Sequence, residues 1–266
     1  MKKKKGARLG QHFLTGLWAA SKLVEAAGII AGDTVLEIGP GKGALTKEIL
    51  KTGAHVVAVE KDPELVAYIR KNLPEDRVTV IESDVRDFKP EMCALHAGSY
   101  VLAANIPYYI TGEIIRQFLE CDAQPRTAAL LIQKEVADRI IARSGKESIL
   151  SLSVKAYGKP SIASRVPRGN FNPPPSVDSA ILVIERISKS FFADIKESFF
   201  FSVVRAGFSS KRKFLVSNLA SKFPLEAVHR AFQIANIPDK ARAEDVGLSE
   251  WKTLVHALTT ESGTFA

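Results

Sequence analysis

A short polar stretch, Asn105-Ile106-Pro107-Tyr108-Tyr109 ("NIPYY"), directly follows the apolar run "SYVLAA", which is typical of a buried strand. The exocyclic amine of a purine is a poor nucleophile because its lone pair is conjugated with the ring. The Asn105 side-chain oxygen and a backbone carbonyl near Ile106 can accept its N–H groups and favour a more reactive, pyramidal nitrogen. Pro107 fixes the backbone direction, and Tyr108 offers a flat face for the base. The alternative is an ordinary turn with Tyr108 in the core.

A glycine-rich segment, "VLEIGPGKGALT", places Gly39, Gly41 and Gly43 between a predicted strand and a predicted helix. The absence of side chains there lets a ligand approach the backbone closely, although tight packing would explain the same glycines. The spacing is G-x-G-x-G, not the dinucleotide pattern G-x-G-x-x-G, and Glu37 stands two residues before the first glycine. The pattern counts against a nicotinamide cofactor.

Three acids, Glu37, Glu60 and Asp84, are predicted at the ends of successive strands. Glu60 ends "HVVAVE", the position from which a carboxylate accepts hydrogen bonds from the two ribose hydroxyls in such folds. Together the acids would repel a pyrophosphate and suit a neutral or cationic nucleoside. S-adenosylmethionine is such a ligand, whereas each acid alone is also a common helix N-cap.

The elements that must position these residues alternate between strand and helix. Helical patterns follow the first, second, fourth and fifth of five β-rich runs, which are "TVLEI", "HVVAVE", "VTVIES", "SYVLAANI" and "AALLIQ". This alternation predicts a parallel sheet covered by helices on both faces. Two further runs, "SIASRV" and "SAILVIERI", flank a proline-rich loop and predict a late antiparallel pair. We expect residues 1–188 to form this catalytic α/β domain and residues 189–266 a smaller all-helical, RNA-binding domain.

The composition is that of a folded protein, with 46% hydrophobic and 25% charged residues and no apolar run long enough to cross a bilayer. Gly10, Gln11 and His12 follow the basic start and interrupt any apolar core that a secretory signal would need, so the sequence predicts an uncleaved, cytoplasmic protein. Cys93 and Cys121 stand in unlike contexts and predict neither a disulfide framework nor a metal site.

A formal net charge of +8 favours a polyanionic partner. Arg205, Lys211, Arg212 and Lys213 cluster near the end of a predicted helix and form a candidate phosphate-contacting patch for structured RNA. Scattered solvated charges are the alternative. The lysines at 2–5 would add a nonspecific electrostatic tether.

The combination of "LGQHFL", "NIPYYIT" and "FNPPPSVDS" resembles the ribosomal RNA adenine N6,N6-dimethyltransferases, from about Arg8 to about Leu258. The resemblance implies a Rossmann-like class I S-adenosylmethionine-dependent methyltransferase fold. It also implies cofactor contacts from the methionine end to the adenine, at His12, Leu14, Gly39, Gly41, Glu60, Asp84 and the backbone of Asn105. Phe171 would stack on the flipped-out target adenine opposite Tyr108. From the residues alone, the alternatives are that Phe171 is a buried loop anchor and that His12 is a capped surface histidine.

"LGQHFL" and the long "FNPPPSVDSAILVIERI" are more similar to the small-subunit branch of that family than to the large-subunit branch. The resemblance then implies dimethylation of two adjacent adenosines in the 3′-terminal hairpin of 16S rRNA during ribosome assembly. The expected partners are small-subunit rRNA and the assembling small subunit, with the protein a monomer. The alternatives are a 23S rRNA methyltransferase of the macrolide-resistance type, a DNA adenine methyltransferase, or a nucleic-acid-binding relative like the mitochondrial transcription factor. The intact "NIPY" argues against the last of these.

Overall fold

The computed structural model describes residues 12–261, in two compact units. The first unit comprises the described residues through Ala137 together with Gly158–Ile187, and the second comprises Asp138–Tyr157 and the described residues from Ser188 onwards. The sequence predicted two domains that are each one continuous stretch, residues 1–188 and residues 189–266, whereas each unit of the structure combines two stretches of the chain. Residues 138–157 group with the later helices because Tyr157 hydrogen-bonds to Glu197 at 2.6 Å and packs against other aromatic rings of that unit.

Seven strands of the first unit form one sheet. They are β2 (Thr34–Ile38), β3 (His55–Glu60), β4 (Val78–Glu82), β5 (Tyr100–Asn105), β6 (Thr127–Gln133), β7 (Lys159–Val166) and β9 (Ser179–Glu185). Their order is β4-β3-β2-β5-β6-β9-β7, with the first five parallel and β9 antiparallel to both β6 and β7. The five predicted parallel strands and the late antiparallel pair are confirmed.

The direction of winding reverses beside β2. The chain moves outwards from β2 through β3 to β4, then returns to the other side of β2 with β5. In open parallel sheets, ligands bind outside the carboxyl ends of the strands at such a reversal. The predicted site residues in "EIGPG", "AVEK", "ESDV" and "NIPYY" all stand at these carboxyl ends.

The helices of the first unit are α1 (Leu17–Ala26), α2 (Ala44–Lys51), α3 (Pro63–Asn72), α4 (Thr111–Glu120) and α5 (Lys134–Ile140), which continues into the second unit. The start of α3 illustrates the local chemistry, because Asp62 caps it by accepting from the Glu64 N–H at 2.9 Å. The sequence missed α1 and a two-residue antiparallel pair formed by β1 (Phe13–Leu14) and β8 (Phe171–Asn172).

The second unit is helical. It contains α6 (Ile149–Tyr157), α7 (Glu197–Gly207), α8 (Leu215–Leu219), α9 (Leu225–Ile234) and α10 (Leu248–Glu261). Its core includes the fully buried Trp251, which stacks on Phe208 with ring centroids 5.9 Å apart. The predicted helices correspond to α7, α9 and α10, and α8 was missed. Across residues 12–261, no helix is both long and apolar enough to span a membrane.

Candidate active site

A cavity of about 340 Å³ opens at the carboxyl ends of β2, β3, β4 and β5. Most of the site residues predicted for the first unit line it: His12, Gly39, Gly41, Glu60, Asp84, Asn105, Pro107 and Tyr108. The topology therefore brings together segments that are up to 96 residues apart in the chain, from His12 to Tyr108.

The glycine turn forms one wall of this cavity. Gly39 and Gly41 adopt φ values of +65° and +58°, a left-handed conformation that side chains disfavour. A Cβ atom on Gly41 would also stand 3.1 Å from the Phe13 ring. Gly43 has a different task, because it caps α2 and is not among the cavity-lining residues. A Cβ atom on Gly39 would meet nothing within 4 Å, so the wall at Gly39 is backbone that is open to close approach by a ligand, whereas Gly41 is packed against Phe13.

The Glu60 carboxylate is fixed beside this turn. It is 4% exposed, and its Oε2 accepts from the Gly41 N–H at 3.2 Å. Its Oε1 accepts from the main-chain N–H groups of Lys61 and Asp62 at 2.9 and 3.0 Å. A carboxylate offers about four acceptor positions, so Oε2 retains capacity for a further donor.

Glu37 does not line the cavity, although the sequence grouped it with Glu60 and Asp84. It lies inside β2 and is 1% exposed. Burial, assisted by the nearby charge of Glu60, raises the pKa of Glu37 to about 8, so this carboxyl is neutral at pH 7. Glu37 therefore contributes no carboxylate to the cavity, whose acidic lining residues are Glu60, Asp62 and Asp84.

Asp84 is held by two cations that the sequence did not identify. Its Oδ2 accepts from Lys61 Nζ at 2.7 Å and from Arg86 Nη2 at 2.6 Å. Its Oδ1 accepts from Arg86 Nε and from the Arg86 main-chain N–H, both at 3.0 Å. The hydrogen bonds from Arg86, and then those from Lys61, lower the pKa of Asp84 well below its usual range. This carboxylate is therefore ionised throughout the neutral range.

Asn105 is the last residue of β5, and its side chain is oriented by the N-terminal segment. Its Nδ2 donates to the main-chain carbonyl of His12 at 2.9 Å. The next residue, Ile106, is anchored through its N–H to the Leu131 carbonyl at 3.2 Å. His12 in turn is held through Nδ1 by the Pro173 carbonyl at 2.8 Å. With Nδ2 occupied, the Asn105 side chain presents Oδ1 as its acceptor.

Tyr108 begins the short 3-10 turn Tyr108–Ile110 and lines the cavity. Its hydroxyl hydrogen-bonds to the buried Ser179 Oγ at 2.8 Å, and its ring centroid lies 5.6 Å from that of His12. Burial raises the pKa of Tyr108, so the hydroxyl is neutral at pH 7. The ring is therefore fixed at its hydroxyl end, and the alternative of a purely core tyrosine does not fit.

Two predicted contacts are not brought to the cavity. Leu14 and Phe171 pair across β1 and β8, belong to the hydrophobic core and are absent from the cavity lining. Consecutive strand residues point to opposite sides, so Phe13 contacts the cavity while Leu14 enters the core. Phe171 is 3% exposed, which matches the alternative of a buried loop anchor.

The predicted basic patch lies on the second unit. Arg205 is in α7, and Lys211, Arg212 and Lys213 are in the turn before α8, with all four side chains exposed. One cation near the end of α7 and three in the turn before α8 suit contacts to phosphates. The lysines at 2–5, together with Gly10 and Gln11, lie outside the described residues.

Comparisons with known proteins identify the family of this chain. The family described as "Ribosomal RNA adenine dimethylase" matches residues 2–260. The chain is 41% identical to the Ribosomal RNA small subunit methyltransferase A of Dehalococcoides mccartyi, over 96% of this chain and 88% of the relative.

Two solved structures share the fold. A dimethyladenosine transferase from Plasmodium falciparum superposes with a TM-score of 0.82 at 25% identity, over 95% of this chain and 98% of that one. The 23S rRNA methyltransferase ErmE superposes with a TM-score of 0.75 at 26% identity, over 92% and 99%. The predicted Rossmann-like methyltransferase fold is confirmed, and this chain belongs to the ribosomal RNA adenine dimethylase family.

Proposed function

We propose that this protein transfers methyl groups from S-adenosylmethionine to the N6 amines of two adjacent adenosines in the 3′-terminal hairpin of 16S rRNA. The observation that carries the proposal is the arrangement at the end of β5, where an oriented Asn105 amide and the Tyr108 ring share one cavity. The small-subunit assignment is favoured over the 23S alternative because the small-subunit relative is 41% identical and ErmE 26%.

The residues that line the cavity can hold S-adenosylmethionine. The backbone at Gly39 and Gly41 would pass along the amino-acid moiety, Glu60 would accept from a ribose hydroxyl through Oε2, and Asp84 would accept from the adenine amine. The cofactor, when bound, supplies an electrophilic methyl group on a sulfonium.

The target amine is activated by hydrogen-bond acceptors, with no strong base required. Asn105 Oδ1 and a main-chain carbonyl near Ile106 would accept from the two N–H groups. This draws the nitrogen away from conjugation with the ring. As positive charge develops on nitrogen, both acceptors interact more strongly, so they favour the transition state over the ground state. Because the Asn105 amide is already held by His12, no reorganisation is needed.

Tyr108 would supply a stacking face for the flipped-out adenine. Its hydroxyl bond to Ser179 fixes the position of the hydroxyl end of the side chain before substrate arrives. Phe171, which the sequence placed on the opposite face of the base, is buried here and would support the β1–β8 pair beneath the site. We assign the RNA backbone contacts to Arg205, Lys211, Arg212 and Lys213. A monomeric state and a cytoplasmic location stay predictions from the sequence.

The proposal is tested by methyl transfer from radiolabelled S-adenosylmethionine to three acceptors: assembling small subunits, 23S rRNA and duplex DNA. We expect label in the 3′-terminal hairpin of 16S rRNA, recovered as N6,N6-dimethyladenosine. Label in 23S rRNA or DNA alone would overturn the small-subunit assignment. Binding of RNA without transfer to any acceptor would favour the nucleic-acid-binding alternative.

A further inference from the structure

The cavity contains an ion-pair cluster around Asp84, whose two cations, Lys61 and Arg86, have no role in the proposed chemistry. All four donors to Asp84 come from two residues: three N–H groups of Arg86 and the ammonium of Lys61. A carboxylate has about four acceptor positions. Arg86 and Lys61 therefore saturate Asp84, and all three residues line the cavity.

This saturation conflicts with a contact between Asp84 and an adenine amine, because the incoming N–H needs an acceptor position. One existing donor must leave. Arg86 holds both carboxylate oxygens through its guanidinium and adds its own main-chain N–H. Lys61 makes a single contact to Oδ2 and its side chain is 63% exposed, so water can rehydrate the ammonium as it departs. Lys61 is the donor whose release costs least.

The backbone of Lys61 stays in place during such a release. Its N–H donates to the buried carboxylate of Glu60, whose other oxygen holds the glycine turn at Gly41. Rotation of the Lys61 side chain alone can free Oδ2 of Asp84 without disturbing the ribose contact assigned to Glu60.

We propose that Lys61 determines nucleoside affinity and specificity by competing with the adenine amine of the cofactor for Oδ2 of Asp84. The inference rests on the proposed function, since it takes the cofactor's adenine to bind at Asp84. A base with an amine displaces the Lys61 ammonium and donates a hydrogen bond to Asp84 in its place. A base with an oxygen at that position gains nothing there, because it would meet an acceptor.

The test is titration calorimetry of the full chain with S-adenosylhomocysteine, adenosine and inosine. Lys61→Met keeps the length of the stem and removes the ammonium. We expect the variant to bind adenosine and S-adenosylhomocysteine about two- to fivefold more tightly, the range set by an exposed ion pair. Inosine, which has an oxygen in place of the amine, should show no gain. The matched control is Lys51→Met, which breaks a 2.6 Å pair with Glu48 on α2 outside the cavity lining and should change none of the three affinities.

Ionic strength gives a second readout. Adenosine is uncharged, so its affinity for the parental protein should rise as salt weakens the pair between Lys61 and Asp84, and this rise should be smaller in Lys61→Met. Unchanged or weaker adenosine binding in the variant, or an equal gain for inosine, would overturn the competition while leaving the proposed function standing. A parental protein that fails to bind S-adenosylhomocysteine would overturn both.

Discussion

The side-chain amide of Asn105 donates from Nδ2 to the main-chain carbonyl of His12 at 2.9 Å, joining the end of β5 to a residue 93 positions earlier. Because His12 contributes its backbone, this contact does not depend on the imidazole. It fixes which end of the amide is the donor, and Oδ1 is left as the acceptor that adenine N6 chemistry requires. His12 therefore acts as a positioning residue for Asn105.

The burial of Phe171 predicts that its replacement acts first on stability. Phe171→Ala should lower the free energy of unfolding by about 3–5 kcal/mol, the usual cost of removing a buried phenylalanine. Urea unfolding measures this, with Phe214→Ala as the control because Phe214 is 42% exposed. Parental stability in Phe171→Ala combined with lost methyl transfer would instead restore the stacking role predicted from the sequence.

Glu60 should contribute more to the affinity for the cofactor than to the rate of methyl transfer in the bound complex. Glu60→Gln removes the charge and replaces one acceptor oxygen by an NH₂ group facing main-chain donors. We expect S-adenosylhomocysteine to bind about tenfold or more weakly, since hydrogen bonds to charged groups contribute about 1.5–3 kcal/mol. Methyl transfer at saturating cofactor should fall less, because a ribose contact is equal in ground and transition states. Unchanged affinity in calorimetry would remove Glu60 from the cofactor site.

The neutral Glu37 predicts a pH dependence of stability. Its pKa is raised from 4.5 to about 8 in the folded state, so between these values the native protein holds a proton that the unfolded chain releases. Its contribution to stability is complete below about pH 4.5 and declines as the pH rises to 8, by at most about 1.4 kcal/mol per pH unit. Glu37→Gln should therefore gain stability relative to the parental protein from pH 5 to pH 8, as measured by urea unfolding. A stability difference that is constant over this range would show that Glu37 is ionised when folded.

The basic turn of the second unit predicts a change in salt dependence. Replacing Lys211, Arg212 and Lys213 by alanine should lower the slope of log affinity against log salt for 16S rRNA by about one unit per lost phosphate contact. Affinity for S-adenosylhomocysteine should not change, which serves as the control for folding. An unaltered slope would place the RNA contacts elsewhere in the chain.

The sequence was sufficient to predict the strands of the sheet, because buried parallel strands are continuous apolar runs. The residues that could do chemistry stand at the ends of these runs. The sequence could not separate Phe13 from Leu14, since the face that each one occupies is set by pairing with β8. The saturation of Asp84 was equally hidden, because Lys61 is 23 residues away in sequence and resembles any surface lysine. The grouping of residues 138–157 with the later helices depends on long-range packing at Tyr157, which has no local signature.

The proposed methyl transfer depends on activation of the target amine by Asn105 Oδ1. Single-turnover methyl transfer to small-subunit particles by Asn105→Ala tests it directly, beside S-adenosylhomocysteine affinity and the matched control Asn72→Ala, an exposed asparagine on α3 that bonds to its own helix. We predict that Asn105→Ala loses about a hundredfold or more in rate, the usual cost of one preorganised polar contact, while the control keeps the parental rate. Transfer by a folded, cofactor-binding Asn105→Ala protein at close to the parental rate would show that Asn105 Oδ1 does not activate the target amine.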